Sequence, residues 1–157
     1  MIKVDMTSPD LDKQIELLKF YPEILEKHFK PAVLSSVKGL EARIKPTIPK
    51  RTGKAARSFG SKVTGKGINL TGRAGWYDRS DPWYPNVLEH GSKPHEIKSG
   101  KQGGFLFFGG HFAKVVQHPG FSARGFMAAG FSAMKPIIES LLAQANEGVV
   151  KDLALKS

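Results

Sequence analysis

Apolar side chains recur at helical steps near the end of the chain. Met127, Phe131, Met134, Ile138, Leu141 and Ala145 follow one another at intervals of four, three, four, three and four. One face of an α-helix gathers such positions. The spacing therefore predicts a helix of about six turns, reaching toward Leu153. Ahead of it, Pro119-Gly120 is a turn signal, because Pro fixes φ and Gly accepts positive φ. Ser122 is the expected N-cap. Pro136 falls inside the helix and should kink it, since the stripe continues in phase beyond it.

A second helical pattern opens the chain. Ser8-Pro9-Asp10 combines an N-cap, a first-turn Pro and a first-turn acid. Leu11, Ile15, Leu18 and Tyr21 share a face, and Val33, Val37, Leu40 and Ile44 resume it after Pro22 and Pro31. Lys38, Glu41 and Arg43 fall on the other side. One long bent helix, or two in series, is expected from Ser8 to about Ile44, ended by Pro46 and Pro49. Thr52 is expected to cap a short helical turn over Ala55-Ala56-Arg57-Ser58-Phe59.

The period then changes to two. Residues 61–64, a Gly65-Lys66-Gly67 turn and residues 68–76 predict an antiparallel hairpin. The small residues Gly72 and Ala74 predict a helix packed closely over its second strand. The stretch from Trp83 to Gly91 predicts a short helix or turn stopped by Gly91. Residues 92–104, rich in Gly and Lys, read as a long basic loop. Phe105-Leu106-Phe107-Phe108 reads as a buried strand, Gly109-Gly110 as a turn, and residues 111–118 as the partner strand. The sum is an α+β fold: an antiparallel sheet of about four strands packed against long N-terminal and C-terminal helices, in a single domain over residues 1–157.

Composition narrows the function. The chain has no Cys, which removes disulfides, thiolate metal sites and thiol nucleophiles and fits a reducing compartment. No continuous apolar run long enough to span a bilayer and no signal-peptide core are expected. Its formal charge is +10, from 24 Lys and Arg against 14 Asp and Glu. That balance suits a polyanionic neighbour, or simply a soluble basic surface. The five histidines, His28, His90, His95, His111 and His118, lack the spacing of convergent metal ligands. His118, just before Pro-Gly, is expected to make a structural hydrogen bond at the turn. No Gly-x-Ser-x-Gly elbow, phosphate-cradling glycine loop or Ser–His–acid order is present. The middle acids Asp78, Asp81, Glu89 and Glu96 fall in expected loops and turns. No catalytic residue, metal or cofactor is expected.

Basic residues cluster at Lys50, Arg51, Lys54 and Arg57, and again at Lys93, Lys98 and Lys101. Trp76, Tyr77, Trp83 and Tyr84 lie between the clusters. Such loops beside aromatics suit a nucleic-acid surface. The plainer reading puts the aromatics in the core and the lysines on solvated loops, since no nucleic-acid-binding motif accompanies them.

The order of the motifs carries a resemblance. Pro49-x-Arg51-Thr52-Gly53, then Ser58, a hairpin, Tyr84 with Glu89-x-Gly91, and His118-Pro119-Gly120-x-x-Ala123-Arg124-x-Phe126 opening a terminal helix follow in turn. This succession, from Pro49 to the end, resembles the small neck or tail-completion proteins of long-tailed bacteriophages, in which a long helix also typically comes first. Gly125 departs from it, standing where similar proteins often carry Pro; the helix is then expected to start one residue later. The resemblance implies a structural virion protein at the head–tail junction, assembled in the host cytoplasm and neither enzymatic nor membrane-bound. It implies a homo-oligomeric ring, a hexamer or a dodecamer, between a head-closure or connector protein and a tail-tube or terminator protein, with genomic DNA passing through. Lys50, Arg51, Lys54, Arg57, Lys93, Lys98 and Lys101 are then the expected interface or polyanion contacts. Tyr84, Glu89, Gly91, His118, Pro119, Gly120 and Arg124 are the expected fold-defining residues. The loop over residues 92–104 is expected to order against neighbouring subunits. Two rival readings are a basic nucleic-acid-binding module and a metal-dependent hydrolase using Glu89, His90, His95 or His118.

Overall fold

A computed structural model of the chain describes residues 9–50, 52–77, 84–100 and 104–155. The side chains of residues 9–18 and of Phe108, and with them Leu11, Ile15 and Leu18, lie outside the described set. In order, the elements are α1 (Pro9–Ile44), α2 (Lys54–Ser58), β1 (Gly60–Thr64), β2 (Thr71–Gly75), α3 (Tyr84–His90), β3 (His95–Lys98), β4 (Leu106–Phe108), β5 (His111–Ala113), β6 (Val115–His118) and α4 (Phe126–Ala154). The α+β class expected from the pattern is present, with long first and last helices packed on strands. The strands are more divided than expected. Instead of a sheet of about four strands, the described strands pair as three separate two-stranded antiparallel ladders, β1–β2, β3–β6 and β4–β5. The strands are only three to five residues long, so each ladder has few backbone bonds with which to recruit a third strand.

The chain forms two compact units, Met1–Asp81 with Ala128–Ser157, and Pro82–Met127. In the first, the helical unit, α1 runs unbroken through Pro22 and Pro31. Each Pro removes one helical N–H donor, which costs about 3 kcal/mol in a helix interior. Packing offsets that cost. Ile24, Ala32, Val37 and Ile44 are each at most 8% exposed. Buried Ser36 satisfies its hydroxyl by donating to the Ala32 carbonyl at 2.8 Å. Tyr21, expected on the same face, is exposed instead.

The β1–β2 hairpin lies directly on this face, in the register Val63 opposite Gly72. A Cβ on Gly72 would sit 2.6 Å from Val37 Cγ1 and 2.7 Å from Val33 Cγ1. The small residue in β2 is thus the consequence of a close helix, as its position suggested. The hairpin connection is longer than the expected Gly65-Lys66-Gly67 turn. It includes a 3-10 turn over Gly67–Asn69, which leaves Ile68 72% exposed. At the open end, Phe59 is 1% exposed and meets Trp76 edge-on at 4.9 Å. The Trp76 indole N–H donates to the Ala55 carbonyl at 2.9 Å, tying α2 to the end of β2.

Helix α4 runs antiparallel to α1, as three close approaches show. Gly148 lies under the His28 ring, Met134 reaches Gly39, and Gly130 lies against Ile44. The buried face of α4 therefore passes through Gly130, Ala145 and Val149. Phe131, expected in the stripe, is 53% exposed because the glycine beside it takes the contact. An ion-pair cluster closes the far end of the pair: Asp152 meets Lys27 at 2.7 Å and His28 at 2.9 Å.

The Lys27 ammonium first, and the His28 ring second, hold the Asp152 carboxyl below its ordinary value of 3.8. A depressed carboxylate adds stability that is complete above its unfolded pKa and is lost as pH falls through the folded one. Asp152→Asn should therefore lower stability at neutral pH. The gap between wild type and variant should close as pH drops below 3.8. Denaturant titrations across that range check it, and a gap that persists unchanged into acid rules the linkage out.

Candidate functional site

The second unit, Pro82–Met127, brings the motif residues together. Tyr84 opens α3, and Gly91 ends it at φ 77°, its N–H donating to the Val87 carbonyl at 2.8 Å. A Cβ there would meet Ala123 N and Phe121 O at 2.7 Å, so the chain after α3 presses against the chain before α4. Ser92 and Phe121 exchange both backbone bonds, at 3.0 and 2.9 Å. Gly120, at φ 75°, lies so close to the Ser92 carbonyl that no side chain fits. His118 Nδ1 accepts the Gly120 N–H at 3.0 Å across Pro119, and its ring stacks on His95 at 5.0 Å. The Arg124 N–H donates to the Leu88 carbonyl at 3.0 Å.

Glu89 is the hinge pin of this knot. Its carboxylate accepts the Met127 N–H at 2.9 Å, and its carbonyl accepts the Gly125 N–H at 3.3 Å. The first turn of a helix leaves its N–H groups without internal partners, and here a side chain 38 residues earlier serves one of them. That revises the expected cap. Ser122 is exposed and precedes the helix by four residues, and α4 starts at Phe126, after Gly125 at φ 57°. Glu89→Ala should cost about 1 kcal/mol, within the range for lost caps. It should also speed amide exchange at Met127, whereas Glu89→Gln keeps an acceptor and most of the protection. Unchanged exchange in the Ala variant would remove Glu89 from this role.

The stretch expected as a long basic loop contains a strand. β3 pairs with β6, His95 opposite His118 and Lys98 opposite Val115. Glu96 organises that ladder, accepting from Gln117 at 2.8 Å and pairing with Lys98 at 3.1 Å. Gln117 first and Lys98 second hold its carboxyl below the usual value.

The basic residues divide between the units. In the helical unit, Lys45, Lys50 and Arg57 line a cleft of about 470 Å³ with Pro46, Gly53 and Ala56. Lys45 is paired with Glu41 at 3.1 Å, and Glu41 also accepts from the Ser61 hydroxyl at 2.7 Å. That hydroxyl, and then Lys45, keep the Glu41 carboxyl below its usual value. Arg57 donates to the Thr52 carbonyl at 3.2 Å. Among the described residues, no carboxylate pairs with Lys50 or Arg57. Lys54 is exposed at the start of α2, where Thr52 accepts its N–H at 3.4 Å. Lys93 and Lys98 belong to the other unit. Arg51, Lys101, Asp78, Asp81 and Trp83 lie outside the described residues. Of the interleaved aromatics, Trp76 belongs to the core contact with Phe59, and Tyr77 carries Lys62 over its ring at 4.1 Å.

Two apolar surfaces were missed by sequence reasoning. The run expected to be buried is exposed at Phe105 and Phe107, 59% and 68%, and Phe112 opposite Phe107 is 74% exposed, while Leu106 between them is half-buried. Helix α4 is also long and apolar enough, by length and composition, to cross a membrane, and only 11% of its apolar stretch is buried. Lys135 and Glu139 interrupt the apolar run in sequence. On the helix they stand one turn apart, at 3.8 Å, and largely answer each other. No protein-family model, curated protein or solved structure matches this chain.

Proposed function

We propose that this protein is a structural, ring-forming subunit of a phage head–tail connector, a neck or tail-completion protein. It would join a head-closure or connector protein to a tail-tube or terminator protein around exiting DNA. The observation that carries this reading is the bare apolar surface of α4. A helix this apolar gains roughly 25 cal/mol for each Å² of apolar surface it covers. A single copy leaves most of that gain unrealised, as a subunit awaiting neighbours does. The order of motifs in the sequence supports the same assignment, and those from Tyr84 onward gather around Glu89 and His118. The test is native mass measurement of the full chain, alone and with its tail-tube and head-closure proteins, followed by imaging. Closed rings that cap tails or bridge head to tail are the expected result. A chain that stays monomeric with both partners overturns it.

The cleft of Lys50 and Arg57 favours one second reading, a basic nucleic-acid-binding module. On that reading the isolated chain binds duplex DNA with an affinity that falls steeply with salt. Removing Lys50 or Arg57 should then reduce the salt slope by about one for each phosphate no longer neutralised. A slope unchanged in both variants excludes the cleft.

A further inference from the structure

The β4–β5 hairpin ends in a bare tip. Its two-residue turn, Gly109 at φ 56° and Gly110 at φ 86°, is of the kind that tight hairpins use. A Cβ on either glycine would meet nothing within 4 Å. Phe107 and Phe112 face each other across the strands at 5.2 Å, both exposed. Residues 104–113 contain no Asp, Glu, Lys or Arg. An uncharged aromatic tip left in water stabilises any contact that covers it.

The helical unit carries an open groove of about 900 Å³ between α1 and the β1–β2 connection. Pro22, Pro31, Leu34 and Ile68 are its apolar lining, and Glu23, Glu26, Lys27, Lys30 and Lys66 line it as well. Leu34 and Ile68 are 41% and 72% exposed. The groove is held in shape before anything enters it. Glu26 accepts the Gly67 N–H at 3.3 Å and pairs with Lys30 at 2.8 Å, fixing the connection against the helix.

We infer that the aromatic hairpin of one copy seats in the α1 groove of the next copy. The inference rests on the ring reading and adds the two surfaces that meet. Both halves lie on every chain, and their apolar parts match: an uncharged aromatic knob, and a preformed slot whose Pro22, Pro31, Leu34 and Ile68 can take the rings while its charged side chains keep to water. They are different surfaces, so the contact is heterologous and repeats from copy to copy until it closes. Area decides how strong one contact is. Phe105, Phe107 and Phe112 are 59%, 68% and 74% exposed. At about 150–250 Å² per aromatic, they offer roughly 300–500 Å². Counting both sides, one contact falls below the roughly 1,200–2,000 Å² of stable pairs. An isolated pair is therefore weak, and the contact persists in a closed assembly where each copy makes it twice.

The chain has no Cys, which makes thiol crosslinking selective. One full-length chain carries Ile68→Cys and a second carries Phe107→Cys. A short bifunctional maleimide should join the two only when they are mixed at assembling concentration. A Phe107→Ser, Phe112→Ser double variant should raise the concentration needed for assembly by roughly tenfold or more. Both residues are exposed, and circular dichroism matching wild type shows that folding is retained. Rings that form with no mixed crosslink and no shift in the double variant overturn this contact and leave the ring reading standing. A hairpin that crosslinks only to added tail-tube or head-closure protein assigns the knob to that partner and overturns the self-contact. Failure to assemble under any condition overturns the ring reading and the contact together.

Discussion

Phe59→Ala lowers the stability of the helical unit by about 3–5 kcal/mol, the range for emptying a core phenylalanine site. Phe59 is 1% exposed, and its neighbourhood cannot easily collapse. It sits between α2 and β1, edge-on to Trp76 at 4.9 Å, while Trp76 is itself tied to the Ala55 carbonyl. Truncation removes the buried ring and an aromatic pair worth about 0.5–1.5 kcal/mol beyond its area. The internal control is Phe107→Ala. That ring is 68% exposed, and its loss, the cross-strand pair with Phe112 included, should change stability by no more than about 1 kcal/mol. Denaturant midpoints of the two variants give the comparison. Equal shifts would mean that Phe59 is not the centre of this core.

Gly130→Val should cost about 2–3 kcal/mol, despite removing a glycine from a helix. Helix propensity argues the other way, because Gly is about 1 kcal/mol worse than Ala in a helix interior. Packing outweighs it. A Cβ at position 130 would strike Ile44 Cγ1, and Ile44 is 2% exposed with nowhere to go. Overpacking of that kind typically costs about 1–3 kcal/mol, and a β-branched side chain enlarges the clash. The cause can be separated from helix disruption with a second substitution. Ile44→Ala opens the space, so the double variant should lose less than the sum of the two single losses. Strict additivity would show that the two residues do not touch. Gly148 makes the same approach to His28 further along, and its replacement should loosen the Lys27–His28–Asp152 cluster.

Much of the frame is legible in the amino-acid sequence. The three- and four-residue steps over Val33, Val37, Leu40 and Ile44, and over Met134, Ile138, Leu141 and Ala145, mark α1 and α4. The positive-φ glycines Gly91 and Gly120 sit where turn chemistry required them. Gly72 announced a close helix because only a missing Cβ lets Val33 and Val37 approach. The motif residues Glu89, Gly91, His118 and Gly120 were legible as a set, but their mutual contacts were not. Glu89 and Met127 are 38 residues apart, and no local pattern marks a cap delivered from that distance.

The misplaced elements share one cause. Phe105-Leu106-Phe107-Phe108 is apolar at every position, so it has no alternation to say which face is inside. Burial of such a run depends on whether another layer covers it, which is a tertiary fact. The strand at residues 95–98 was hidden in a stretch whose Gly and Lys content signals a loop, and pairing with β6 overrode that composition. Lys135 and Glu139 break the apolar run of α4, and whether the rest of that helix is covered by another element is again a tertiary fact. Periodicity and turn chemistry are local, so the sequence by itself determined the α+β class, both long helices, their turns and the basic balance. Register, the division into three ladders, the Glu89 cap and the exposed aromatic hairpin depend on contacts between residues far apart in the chain. Only the tertiary structure decided them.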